Sequence, residues 1–135
     1  MTAVTTPVLS DSTDSLLRFA LRADAVTTGV IGLAGVFTAR PMAALTGLTA
    51  VQEYAVAAFC LLYGVAVYFL SALPDLRRAG IGVLAANVVC TVAAIAVLET
   101  GVLPLTGFGV AALLASAVYT ASFALAQYRG LRRLR

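Results

Sequence analysis

The chain has no histidine and no lysine. Without an imidazole there is no ordinary general base near neutral pH and no histidine-based metal site. No Gly-x-Ser-x-Gly, phosphate loop or dinucleotide-binding glycine pattern stands in a strand-to-helix context. The two cysteines, Cys60 and Cys90, form no Cys-x-x-Cys, and thiols at their depth in hydrocarbon stay protonated and inert. An enzyme would have to run on Asp24, Glu99 or a tyrosine, so the expectation is a protein that is not an enzyme and uses no cofactor or metal. Charge is scarce too. Charged residues make up 11% of 135 positions against 61% hydrophobic, well outside the range of a soluble domain.

What is present is long apolar sequence. Four segments, at about 16–39, 54–73, 79–98 and 105–128, each approach the ~20 residues that cross ~30 Å of hydrocarbon. The first is read as a retained helix and not a cleaved leader. It is too long for a leader's apolar core, Asp11 and Asp14 lie upstream of it, and Phe37 stands where a small residue should precede cleavage. All the cations are arginine, which together with abundant Ala and Val points to a high-GC bacterial genome. With four crossings, Arg18, Arg22, Arg77, Arg78, Arg129, Arg132, Arg133 and Arg135 share one side and Arg40 alone lies opposite. The positive-inside rule then places both termini in the cytoplasm of a bacterial inner membrane. The expected fold is an all-α, integral membrane, up-down-up-down four-helix bundle. Nucleic acid is not an expected partner: Arg77, Arg78, Arg129, Arg132, Arg133 and Arg135 sit at helix ends, where they anchor anionic lipid headgroups.

Residues 1–15, rich in Thr and Ser, read as a flexible cytoplasmic tail, 16–128 as the transmembrane domain and 129–135 as a basic cytoplasmic end. Asp14 or Ser12 is the candidate cap of the first helix. The longest loop runs from Arg40 to Glu53. There Pro41 suits a helix start and Gly47 a stop, so the spacing predicts a short amphipathic turn presenting Met42, Leu45 and Leu48 to lipid or a partner. Pro74 to Arg78 and Gly101 to Pro104 read as tight hairpins.

Small residues at helical spacing allow helices to approach closely in lipid. Gly29, Gly32 and Gly35 share a face of the first helix, Gly82, Ala86, Cys90 and Ala94 line the third, and Ala112, Ser116, Thr120 and Ala124 line the fourth. These rows serve packing within the bundle or docking of a partner, with Gly29, Gly32, Gly35, Gly82, Ala86, Ala112 and Ser116 the candidate docking positions. Asp24 is the residue hardest to place in lipid. Counted from the cytoplasmic side it lies about 9 Å into its helix, and Asn87 about 12 Å into the third. A cluster of Asp24 and Asn87, with Arg22 or Gln127 reaching in, is therefore expected, as structural glue or as a site. On the outer side, Glu53 suits the start of its helix, Glu99 does not suit its end, and Arg40 is the one cation available to either.

The stretch Leu21-Arg22-Ala23-Asp24-Ala25, with Gln127-Tyr128-Arg129-Gly130-Leu131-Arg132-Arg133, resembles a group of small four-helix bacterial membrane proteins, mostly of unassigned function. That resemblance implies the topology and the two polar termini, and no activity. In size and composition the chain is also similar to accessory subunits of actinobacterial lipid importers of the mammalian-cell-entry type. The expected function is a non-enzymatic accessory or stabilising subunit of a larger inner-membrane complex, with a lipid-uptake transporter as the candidate. Membrane lipids and that complex are the expected partners. The alternative is a small carrier or a quinone- or lipid-binding membrane protein using the polar site near Asp24 and Asn87. It requires a continuous cavity that reaches that site with an opening from the cytoplasmic side.

Overall fold

The computed structural model describes residues 13–134 as four helices with no strand among them: α1 (Ser15–Thr46), α2 (Ala50–Leu70), α3 (Arg77–Thr100) and α4 (Gly107–Arg132). All four are long and apolar enough to cross a membrane. Residues 1–12, including the candidate cap Ser12, and the candidate anchor Arg135 lie outside the described residues. The sides of the helices are apolar as well. Phe37 is 80% exposed, and Phe19, Leu62 and Phe69 are each 70% exposed, as suits an apolar solvent.

The expected loop from Arg40 to Glu53 is largely helix. α1 continues through Pro41, which lies inside it, and ends only at Gly47. Pro41 starts no separate amphipathic helix, because the good helix formers that follow it, Met42, Ala43, Ala44 and Leu45, carry the existing one onward. Helices in lipid tolerate an interior proline when neighbouring groups re-satisfy the backbone. Gly47 does stop the helix, with φ 87° and its N–H donating to the Ala43 carbonyl at 3.1 Å. Any Cβ there would meet the Pro104 carbonyl oxygen at 2.2 Å, so the turn lies flush against the α3–α4 connection. Thr106 fastens it, its N–H donating to the Thr46 carbonyl at 3.0 Å and its hydroxyl to the Leu45 carbonyl.

α2 begins at Ala50 rather than Tyr54, because Thr49 and Gln52 form a reciprocal capping box: Gln52 N donates to Thr49 Oγ1 at 3.1 Å, and Thr49 N to Gln52 Oε1 at 2.9 Å. α4 runs past Tyr128 to Arg132, so Arg129 and Arg132 lie in its last turn. Arg129 and Arg132 there complement the helix dipole, and Arg132 lies 5.9 Å from the Tyr128 ring centre. Asp14 occupies the position before α1 without a side-chain capping bond; its carboxylate accepts from Arg18 at 2.7 Å. Arg18 also donates to the Ser71 and Leu73 carbonyls at 2.6 and 3.1 Å, tying the start of α1 to the end of α2.

α1 is the organising helix. It packs along α2 and against α4, α3 packs against α4, and α2 and α3 barely touch although they are consecutive. The α1–α2 approach rests on glycine. A Cβ on Gly32 would meet the Leu61 nitrogen at 2.4 Å, and one on Gly64 the Ala25 oxygen and the Gly29 Cα at 2.6 Å. Gly29, Gly32 and Gly35 face α2 within the molecule, the first of the two uses expected of them, with Gly32 buried and Gly29 and Gly35 half-buried. Gly82 has open space around it and Ser116 is exposed, while Ala86 and Ala112 are half-buried. Leu17, Leu21, Ala25, Val67, Leu76 and Val83 form the apolar core.

Gly64→Val forces backbone against backbone and is expected to lower unfolding stability in detergent by about 1–3 kcal/mol. Gly82→Ala, facing open space, should leave it unchanged within ~0.5 kcal/mol. Thermal or denaturant unfolding of the two purified variants checks both, and equal losses would contradict the packing.

Candidate functional site

Asp24 is fully buried, and every other helix brings it a donor. Its Oδ2 accepts from Tyr63 Oη of α2 at 2.8 Å, from Asn87 Nδ2 of α3 at 2.8 Å and from Gln127 Nε2 of α4 at 2.9 Å. Its Oδ1 accepts from Thr28 Oγ1, one turn further along α1, at 3.0 Å. The hydroxyl of Thr28 has one proton, and it goes to Asp24. Tyr119 Oη, 2.7 Å from Thr28 Oγ1, is then the donor in that pair. Asn87 Nδ2 also lies 3.0 Å from Gln127 Oε1 and 3.2 Å from Tyr63 Oη. Among the described residues no fully buried side-chain nitrogen or oxygen lacks a partner.

The structure thus brings together Asp24, Asn87 and Gln127, three of the four residues expected to cluster. Arg22 is not with them and is exposed. Two residues along a helix is a rotation of about 200°, which points its guanidinium away from the Asp24 face. Neutral groups take its place, and three of them were not foreseen: Thr28, Tyr63 and Tyr119. Thr28 was legible as the residue four beyond Asp24 on one helical face. Tyr63 was legible by depth, about 10 Å back from the end of α2. Tyr119, reached only through Thr28, left no such signal.

Because α2 and α3 do not pack together, a cavity of about 530 Å³ opens between them, floored by α4, beside the cluster, within the size range of small-molecule sites. Thr28, Tyr63, Asn87 and Tyr119 line its polar end, and side chains such as Phe59 and Val97 form apolar walls. Cys60 and Cys90 both border it as free thiols. On the other side of Tyr63 a second groove of about 500 Å³ runs between Leu70 and Val83 toward Arg78. Among the described residues the Asn87–Tyr63 contact is the one side-chain hydrogen bond between α2 and α3, and Tyr63 borders both spaces.

The remaining expected positions lie at the periphery. Arg77, Arg78, Arg129, Arg132 and Arg133 are exposed near helix ends. Glu53 accepts a hydrogen bond from Thr46 Oγ1 at 2.5 Å, Glu99 is exposed, and among the described residues Arg40 pairs with neither. Compared with family models, curated proteins and solved structures, the chain matches none.

Asp24→Ala leaves three inter-helix donors without their acceptor and is expected to destabilise the bundle by about 2–3 kcal/mol. Arg22→Ala should change stability by less than ~0.5 kcal/mol. Unfolding in detergent measures both; a large loss for Arg22→Ala would return that arginine to the cluster.

Proposed function

We propose that the chain is a multi-pass protein of a bacterial inner membrane, an up-down-up-down bundle with both termini cytoplasmic, that holds a lipid- or quinone-sized apolar molecule between α2 and α3. Four spanning-length helices with apolar exteriors support the membrane setting, and the eight-to-one distribution of arginines supports the orientation. The single observation behind the binding reading is the cavity of about 530 Å³ whose apolar walls end at Tyr63, Asn87, Thr28 and Tyr119. Apolar enclosure with a few convergent polar groups is the usual form of a small-molecule site. This cavity raises the ligand-binding reading above the accessory-subunit one. Neither reading makes the chain an enzyme.

The second reading, a stabilising subunit of a larger inner-membrane complex such as a lipid-uptake transporter, draws on a different observation. Gly82 on α3 and Ser116 on α4 remain uncovered at the edges of the two grooves, where small residues favour close approach of another helix. It predicts co-purification with a larger assembly in mild detergent and loss of that assembly on deletion.

The binding reading is tested by extracting and identifying the apolar molecules that co-purify with the native protein. Ala93→Phe and Ala115→Phe alter exposed wall positions of the cavity and are expected to lower retention about tenfold or more with the fold intact. Retention of nothing beyond bulk phospholipid, or equal retention by the filled variants, would contradict it.

A further inference from the structure

Asn87 is 3% exposed, yet only half of its amide is engaged. Its Nδ2 faces three oxygens, those of Asp24, Gln127 and Tyr63. Among the described residues nothing donates to its side-chain Oδ1, whereas every fully buried side-chain oxygen there has a partner. Oδ1 is therefore the part of the side chain left accessible, and the space that Asn87 lines is the cavity of about 530 Å³. The amide cannot be turned around. Exchanging nitrogen and oxygen would set Oδ1 about 2.8 Å from the Asp24 carboxylate with no proton between them.

The other polar groups at this end of the cavity have no comparable vacancy. The single protons of the Tyr63 and Thr28 hydroxyls go to Asp24, and that of Tyr119 goes to Thr28. Thr91 reaches the Asn87 backbone carbonyl at 2.9 Å and Thr120 the Ser116 backbone carbonyl at 3.0 Å, and the two hydroxyls lie 2.6 Å apart, so both protons are taken up within the protein. The polar end of the cavity thus has its protons committed inward to the protein and one strong carbonyl acceptor turned to the ligand space. A guest that brings only carbonyl, ether or ester oxygens finds only the weakly donating thiols of Cys60 and Cys90 and leaves Oδ1 unsatisfied. A guest with an O–H satisfies it.

The geometry points to a ligand that is apolar in its body and carries a hydroxyl donor at its polar end, bound with the hydroxyl donating to Asn87 Oδ1. A lipid alcohol such as a diacylglycerol and the reduced, quinol form of a quinone share this chemistry. Carbonyl-only counterparts, an acetylated diacylglycerol or the oxidised quinone, lack it. This rests on the ligand-binding reading above and narrows it to donors. Sites built to pair with a particular polar group reject analogues lacking it, because the buried partner is stranded.

The test titrates the full-length protein in detergent micelles, read by native mass spectrometry, with two matched pairs: 1,2-dioleoylglycerol against 1,2-dioleoyl-3-acetylglycerol, and decylubiquinol against decylubiquinone. The hydroxyl-bearing member of at least one pair is expected to bind about tenfold more tightly, and the pair in which it does so identifies the source. In Asn87→Ser, whose shorter side chain offers no carbonyl acceptor, the preference should fall to near parity. The pair comparison in the unaltered protein stands if that variant fails to fold. Equal binding within both pairs overturns the inference and leaves the ligand-binding reading in place. No binding by any of the four overturns the inference, and a purified protein that also carries no apolar molecule defeats the reading beneath it.

Discussion

One carboxylate holds this molecule together. In an apolar solvent the burial of Leu and Val no longer distinguishes inside from outside, so helices associate through close packing and through polar contacts that lipid cannot replace. Asp24 provides such a contact for the whole bundle. A single oxygen of α1 accepts from Tyr63 of α2, Asn87 of α3 and Gln127 of α4, all within 2.9 Å. Glycine does the complementary work for one pair of helices, letting α1 and α2 approach backbone to backbone at Gly32 and Gly64. With the helices joined there, α2 and α3 can stay loosely packed against each other, and they do.

That looseness has a definite location. α2 is fastened to α1 by glycines and by Arg18, and α3 is fastened to α4, but α2 and α3 meet hardly at all. Across the gap Tyr63 and Asn87 converge on the same Asp24 oxygen and on each other. The gap on either side of this bridge is the pair of apolar spaces. Stability and the proposed function are therefore coupled through the same atoms: the donors that secure Asp24 also form the polar end of the cavity, and committing their protons inward leaves that end an acceptor.

The sequence carried much of this in the open. Counting depth from the basic side was enough to pair Asp24 with Asn87, because an acid and an amide at similar depth in separate apolar helices have few alternatives to one another, while Gln127 stood beside Arg22 as one of two residues able to reach in. Arg22 was drawn in by the habit of giving an acid a cation, and helical phase keeps it out. Tyr63 and Tyr119 passed unremarked because a tyrosine in an apolar segment reads equally as wall or as donor; only the bundle's geometry separates the two. At Pro41 a local signal for a helix start gave way to the helix already under way, and the Thr49–Gln52 capping box, fully legible, marks where the next one begins. The cavity left no trace in any single segment. It follows from which helices fail to meet, and that is decided by long-range packing.

The central claim is that Asp24 and its donors act as one unit. A double-mutant cycle measures this directly, comparing the loss of unfolding free energy on Gln127→Ala in the unaltered protein with the same loss in an Asp24→Ala background. The account predicts strong coupling, with the substitution at Gln127 costing about 1 kcal/mol or more when Asp24 is present and close to nothing when it is absent. Additive losses would mean that the carboxylate is not what joins these helices.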